Sequence, residues 1–382
     1  MPLSRRAMLL VLGGGTILAA TAGAATVATR RPRTATLPWA EAGTPADARE
    51  WALSYALLAP NPHNRQPWLV DLSVTGQVTL FADRDRLLPV TDPMNRQITI
   101  GLGAFLELMR MAAAEKGLGV TLTPFPDGAS PEGLDARPIA RAVFAPDAGV
   151  GPDPLFAHVL ARRSNKEPYD TARPVPAGTL AALSAAVVRG SVFGGTTDTA
   201  QVGALRRLTH EALRIEFMTP RTLGESIELF RIGRNEVDAN PDGIDFSGPL
   251  FEILGATGLF SRATAGDHAS FAFRSALDMI ETTSLSAMGH VWLVTAGNSR
   301  EEQLAAGADW VRLNLALTGL GLGVQPMSQA LQEFPEMAGP FAEAHRMLAP
   351  AGGVVQMLGR IGYGAEVDQS PRWPLQTRII HA

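Results

Sequence analysis

Cysteine does not occur anywhere in the 382-residue chain. Its absence excludes disulfides, thiolate nucleophiles, zinc ribbons and iron–sulfur clusters, and leaves only His, Asp and Glu as metal ligands. Charge is sparse too: 18% of residues are Asp, Glu, Lys or Arg, and the formal net charge of -4 is spread over mixed signs. Without a basic stripe a nucleic-acid backbone finds no footprint, so no nucleic-acid partner is expected. The seven histidines form no HExxH pair, and no GxSxG nucleophile elbow occurs, which removes the usual support for metalloenzyme and hydrolase chemistry. Redox work would therefore need a borrowed cofactor. What the chain has is apolar material, 46% of its residues, sufficient to bury one large core or two ordinary ones.

The first residues carry an address. Ser4-Arg5-Arg6-Ala7-Met8-Leu9-Leu10 is a twin-arginine pair, followed by an uncharged Gly/Ala/Thr-rich stretch to Thr29 and then by Arg30, Arg31 and Arg33. Residues 1–33 read as a Tat-type signal with a small-x-small cleavage site at Ala22-Gly23-Ala24. The alternative is an uncleaved membrane anchor, because the stretch is just long enough to span. In both cases the Tat translocon is the expected partner during export, and the globular part is expected to be periplasmic or otherwise extracytoplasmic. The Tat route carries folded proteins and so suits a domain that takes up a cofactor before export.

Residues 34–45 form a Pro/Ala/Thr-rich linker. Apolar spacing then predicts a helix over 46–58, and Pro60 and Pro62 forbid its continuation into the loop 60–67. A hairpin follows around Thr75-Gly76, then an amphipathic helix over 97–116 and extended runs at 120–125 and 141–144. These elements make an N-terminal half, 46–150. A second half, 151–382, opens with helical patterns at 155–161, 178–187, 200–218 and 222–237. A Gly/Pro/Asp-rich interruption at 238–249 gives 219–249 the character of a lid over a site. A mixed segment runs to about Thr283, followed by a strand at 290–295, a helix at 299–319, strands at 323–326 and 354–361, and a helix near 335–347. Helices and strands alternate throughout, so the class is α+β or α/β.

Asn61-Pro62-His63-Asn64-Arg65-Gln66-Pro67-Trp68 is the densest polar cluster of an apolar chain. Its amides offer donors and acceptors together, which a ring edge carrying C=O, N–H and C=O, such as a flavin pyrimidine, demands. A solvated turn is the competing reading. Arg162-Arg163-Ser164-Asn165-Lys166 places two guanidinium forks, a hydroxyl and an ammonium within five residues, a group suited to a phosphate monoester, although a solvated basic run looks the same. Gly319-Leu320-Gly321-Leu322-Gly323 follows a helix and lacks the GxGxxG spacing, so it is not a dinucleotide fingerprint. Its glycines end a helix and let the backbone of Val324 to Ser328 approach a flat ligand. Asp238-Ala239-Asn240-Pro241-Asp242-Gly243 opens like a calcium loop, but Pro249 occupies the twelfth position where a bidentate Glu is required.

Together these segments resemble the nitroreductase superfamily, and more closely its Acg-like branch. The stretch 58–68 resembles the family's P-S-x-x-N-x-Q-P-W loop, 162–166 its R-[RH]-S-x-[RK] phosphate motif, 319–328 its G-x-G-x-x-P-I segment, and Gln369-Ser370-Pro371-Arg372-Trp373-Pro374-Leu375 its C-terminal K-S-R-L-P. Gln356 to Gly364 is similar to the Acg-like branch, and the resemblance implies that Arg360 within it binds the cofactor. The resemblance implies an α+β nitroreductase-like fold made of two fused half-domains, a pseudo-dimer with mixed sheets flanked by helices. The ring-edge loop lies in one half and the phosphate motif in the other, so one flavin site survives. It further implies FMN held by Arg162, Arg163, Ser164 and Arg372 at the phosphate, by Lys166 near N1, and by Asn61, Pro62, His63, Asn64 and Gln66 at the ring edge. Val324, Gln325, Pro326, Met327, Ser328 and Gln329 would lie near N5. The implied activity is hydride transfer at N5 to a small conjugated substrate, with no protein residue as covalent catalyst and with an electron donor that the residues do not name. Asn61, Pro62, Ser328 and Gln329 depart from the family pattern, which leaves flavin sequestration without nicotinamide-driven turnover as the alternative.

Overall fold

A computed structural model describes residues 31–380. Arg5, Arg6 and the sequence Ala22-Gly23-Ala24 lie outside the described residues. Helices α1 (Leu37–Glu41) and α2 (Ala48–Ala56) precede strands β1 (Trp68–Asp71) and β2 (Gln77–Ala82), helix α3 (Arg96–Glu115), and strands β3 (Leu118–Pro124) and β4 (Ala140–Pro146). There follow α4 (Thr179–Ala186), β5 (Val192–Thr196), α5 (Thr199–Met218), α6 (Pro220–Glu228), β6 (Phe230–Ile232), α7 (Gly233–Ala239) and β7 (Ile244–Phe246). Helices α8 (Pro249–Ala256), α9 (Arg262–Gly266) and α10 (Phe271–Leu285), strand β8 (Gly289–Thr295), helix α11 (Arg300–Gly319), strand β9 (Gly323–Pro326), helix α12 (Ala338–Leu348), and strands β10 (Val354–Gly362) and β11 (Ile379–Ile380) complete the chain.

The class is α+β. One sheet has the order β11-β1-β2-β4-β3 and a second the order β5-β8-β10-β9, while β6 and β7 form a small parallel pair. The first sheet is mixed, because β11 runs parallel to β1, with Val70 opposite Ile379, and β1 and β2 are antiparallel. The C-terminal residues thus return to the sheet built from the first half.

Between the sheets lie α3 and α11, both buried around almost their whole circumference, as helices inside a core must be. Their starts are set by sequence: the Asp92 carboxylate accepts from Gln97 and Ile98 N–H at 3.0 and 2.9 Å, and Ser299 with Glu302 forms a capping box. Gly103 of α3 lies against the backbone of Leu304 and Gly307 of α11 against that of Ile100. A buried charge pins the same crossing, with Glu107 accepting from Arg312 at 3.0 Å.

Three sequence expectations are corrected. The helical period over 222–237 is broken: α6 stops at Glu228 and α7 restarts at Gly233, whose φ is +78°. The residues between form β6 because Phe230 is drawn into a cluster with Phe246 and Phe260, at ring separations of 4.6 and 6.0 Å, and tertiary burial outweighs local period. The pattern at 155–161 is a short 3₁₀ turn, Pro154–His158. The mixed segment to Thr283 resolves into α8, α9 and α10.

Candidate functional site

Four sequence segments meet at one end of the central helices. Gln97 and Gly101 of α3 are four residues apart and share a face. A side chain at Gly101 would meet Asn61 Cβ at 3.1 Å and Pro62 Cδ at 3.3 Å, while Gln97 Nε2 donates to the Ser328 carbonyl at 3.4 Å. The polar loop and the segment after β9 are therefore neighbours one helical turn apart. The Asn165 N–H donates to the Val324 carbonyl at 2.8 Å, and Arg162 Nη2 to the Leu58 carbonyl at 2.9 Å, which brings in the basic motif. Lys166 lies within electrostatic reach of His63, Glu216 and Asp245, so loop, basic motif, α5 and β7 share one centre.

His63, Asn64 and Gln66 all have left-handed φ, at 47°, 51° and 52°, a conformation that costs on the order of 1 kcal/mol or more at each non-glycine residue. Side-chain amides hold it. Asn61 Oδ1 accepts from the Gln66 N–H at 2.7 Å and Asn61 Nδ2 donates to the Ala59 carbonyl at 3.1 Å. Asn64 Nδ2 donates to the Pro371 carbonyl at 3.0 Å, and its Oδ1 accepts from Arg372 at 2.6 Å. Gln66 is fully buried; it donates to the Pro241 carbonyl and accepts from the Trp373 N–H, at 2.7 and 2.8 Å. These amides, expected on a ring edge, are instead consumed in building the loop, because a buried, strained turn must satisfy its own polar groups first. What the loop offers a ligand is its backbone and His63. Burial, with Lys166 and Arg65 nearby, pushes the His63 pKa down to about 4; the ring is neutral and its Nδ1 has no partner among the described residues.

Arg372 is likewise a clamp. Its Nε donates to the Leu57 carbonyl at 2.7 Å, its Nη2 to the Leu58 and Ala59 carbonyls at 3.2 Å, and its Nη1 to Ser370 Oγ at 2.7 Å besides Asn64. The expected phosphate ligand thus has every nitrogen engaged by the chain, closing the carboxyl end of α2. Arg162 differs: it is 2% exposed, and its Nε and Nη1 have no partner among the described residues. Burial, and then the neighbouring Arg163, lower its pKa to about 10, so it remains charged at neutral pH. Arg163 lies over the Trp39 ring at 4.7 Å, and half-buried Ser164 follows. Arg360, expected to bind cofactor, is fully buried and stacks on Tyr169 at 4.0 Å. It donates to Gln325 Oε1 at 2.7 Å, Ser286 Oγ at 3.2 Å and the Glu167 carbonyl at 2.8 Å, and so supports β9 from the sheet interior.

The 238–246 segment is fastened to this loop. Asp242 pairs with Arg86, with Arg231 at 2.7 Å and with Arg65 at 3.7 Å, and Asp238 accepts from the backbone N–H groups of residues 33–35 at 2.9 to 3.1 Å. Those carboxylates are engaged by arginine and backbone, and no metal-holding cluster exists among the described residues. Sequence reasoning missed Glu216. It is 5% exposed on α5, its Oε2 lacks a partner among the described residues, and Gln332 and Gln329 lie beside it. Burial pushes its pKa up to about 7. No local signal distinguishes it, since a lone Glu in an amphipathic helix reads as solvated.

No family model matches the chain. Over 340 residues, 86% of this chain and 88% of the relative, it is 27% identical to the "putative NAD(P)H nitroreductase Rv3131" of Mycobacterium tuberculosis (strain ATCC 25618 / H37Rv). The similarity is to the nitroreductase superfamily. A second relative from the same strain, the "putative NAD(P)H nitroreductase acg", is 32% identical over 123 residues, 32% of this chain and 36% of that protein. Among solved structures, the FMN-dependent nitroreductase NfnB of Mycobacterium smegmatis in complex with NADPH overlaps 57% of this chain and 92% of its own, at 17% identity and a TM-score of 0.35. A putative nitroreductase from Anabaena variabilis overlaps 87% and 91%, at 12% identity and a TM-score of 0.35.

Proposed function

We propose that the chain is an FMN-dependent oxidoreductase of the nitroreductase type, acting on a small conjugated substrate. The observation that carries this reading is Arg162, a buried guanidinium whose Nε and Nη1 have no partner among the described residues, flanked by Arg163 and Arg372. An uncompensated buried charge is costly, and a phosphate monoester satisfies it with charge-assisted hydrogen bonds. Arg162, with Arg163 and Ser164, would hold the phosphate. Lys166 would sit at the electron-rich end of the ring, the backbone of 61–66 with His63 at its polar edge, and Val324 to Gln329 along the reacting edge. Bound FMN supplies hydride transfer. The chain's part is to fix the ring, to place the Lys166 charge where negative charge develops and to limit water. The relatives' printed names carry NAD(P)H, which makes a nicotinamide the donor to try first. Export through the Tat route, from Arg5 and Arg6, belongs to the same proposal. Among the described residues no helix is long and apolar enough to cross a membrane.

A second reading, flavin sequestration without turnover, is favoured by one feature: Gln66 and Asp242 fasten 238–246 against the ring-edge loop. The purified mature chain decides between the two. A flavin spectrum bleached by NADPH, with reduction of an added nitroaromatic, supports the enzyme. Bleaching by dithionite alone supports sequestration, and a chain that neither carries nor takes up FMN refutes both.

Arg162→Met is expected to weaken FMN binding by about 1.5–3 kcal/mol, roughly tenfold to a hundredfold and more. The flavin-free variant should be at least as stable as the parent, because the unpaired buried charge is gone. Titration with FMN and urea unfolding of the apoprotein check the two halves of this prediction; unchanged affinity removes Arg162 from the phosphate site.

A further inference from the structure

We propose that Glu216 is the proton donor of this site. The inference rests on the oxidoreductase reading above and adds a reacting group to it. The carboxyl projects from α5 to the amides of Gln329 and Gln332, in the segment that follows β9, and lies within electrostatic reach of Lys166. Gln329 is placed in turn by its neighbour Ser328, whose carbonyl accepts from Gln97 of α3, the helix face on which Asn61 and Pro62 rest. Glu216 therefore stands at the same centre as the ring-edge loop and the basic motif, although nearly fifty residues separate it from the closest of them in sequence. Its Oε2 is sealed from solvent and has no hydrogen-bond partner among the described residues. An unpaired buried oxygen is costly for a carboxylate; a carboxylic acid can donate its O–H, and the Oε1 atoms of Gln329 and Gln332 beside it, unpartnered among the described residues, are acceptors.

The charged groups that reach it are Lys166, from the basic motif, and Glu225, from α6. They oppose each other: the ammonium favours the carboxylate and Glu225 favours the acid. Burial is the larger influence and keeps the group protonated up to about pH 7, where a general acid is most effective at neutral pH.

The step balances as follows for a quinone acceptor. The quinone takes a hydride, two electrons and one hydrogen, from the bound reduced flavin, and its second hydrogen as a proton from Glu216. The carboxyl O–H bond breaks, an O–H bond forms on the quinone oxygen, the product is the hydroquinone, and the flavin is oxidised by two electrons. The Glu216 carboxylate regains its proton after the hydroquinone has left and water can enter the site, while Lys166 steadies it in the interval.

The test uses the full mature chain loaded with FMN and reduced by dithionite. It is mixed with a 1,4-naphthoquinone, which needs a proton, or with ferricyanide, which accepts electrons without one. Glu216→Gln keeps the side-chain shape and is expected to slow reoxidation by the quinone more than tenfold, to leave reoxidation by ferricyanide unchanged, and to abolish the fall in quinone rate that the parent shows above about pH 7. The flavin-free parent should also show an infrared carbonyl band of a protonated carboxyl that titrates near neutral pH and is missing from Glu216→Gln. A chain that does not hold FMN overturns the functional reading and this inference with it. FMN held by both proteins, with equal quinone rates and pH profiles, overturns this inference alone. So does equal slowing of quinone and ferricyanide, which marks a structural role.

Discussion

Gly307→Val is expected to lower the unfolding free energy by about 3 kcal/mol or more, the upper end for overpacking a core. In an ordinary exposed helix the change would be nearly neutral, and Gly→Ala would gain almost 1 kcal/mol from helix propensity. Here a Cβ at Gly307 would overlap the Ile100 carbonyl, and one at Gly103 would overlap that of Leu304. Two backbones in contact cannot yield the way a flexible side chain can, so α3 and α11 must separate along their length. The separation opens contacts along the most deeply buried helices of the molecule and moves Gln97 and Gly101, which align the two segments of the site. Urea unfolding of Gly307→Val and Gly307→Ala checks both magnitude and sign. If the alanine variant is as stable as the parent or more so, the helices are not in backbone contact.

Asp242→Ala is expected to cost about 3–5 kcal/mol, as when a buried charge network loses its shared partner. Asp242 has a side-chain exposure of 6% and joins Arg65, Arg86 and Arg231. Asp83 relieves Arg86 and Arg378, at 2.9 and 3.1 Å, and both of those guanidiniums lie over the Trp373 ring, at 5.2 and 5.3 Å. Four arginines thus share two aspartates; with Asp242 gone only Asp83 remains, and the excess positive charge rises from two to three. The same loss unfastens 238–246 from the loop at 60–67, so proteolysis in that segment should quicken, as should release of FMN if the proposed function holds. Asp242→Asn, which keeps the shape but not the charge, should share most of the stability loss. If Asp242→Ala falls within 1 kcal/mol of the parent, the arginine network contributes no net stability.

Much of the architecture is legible in the chain because it depends on neighbours in sequence. The helix over 96–115 announces itself by apolar period. The helix over 300–319 does so as well, and the hairpin at 68–82 by Thr75-Gly76. The segment 230–246 is not legible, because its strands exist only through pairing with each other and burial against Phe260, which no local window contains.

At the site the division is sharper. By composition and motif alone, the sequence determined that any redox chemistry is borrowed and that a polar loop at 60–67 and a basic group at 162–166 are the places to look. Tertiary structure decided which members of those groups remain free. Asn61, Asn64, Gln66 and Arg372 have the right chemistry for a ligand, yet they hold a strained loop and a helix end, while Arg162 keeps Nε and Nη1 unmatched among the described residues and Glu216 joins from a helix with no motif. The reason is physical: a residue's type fixes what it can donate or accept, but whether that capacity is already filled depends on partners hundreds of residues away.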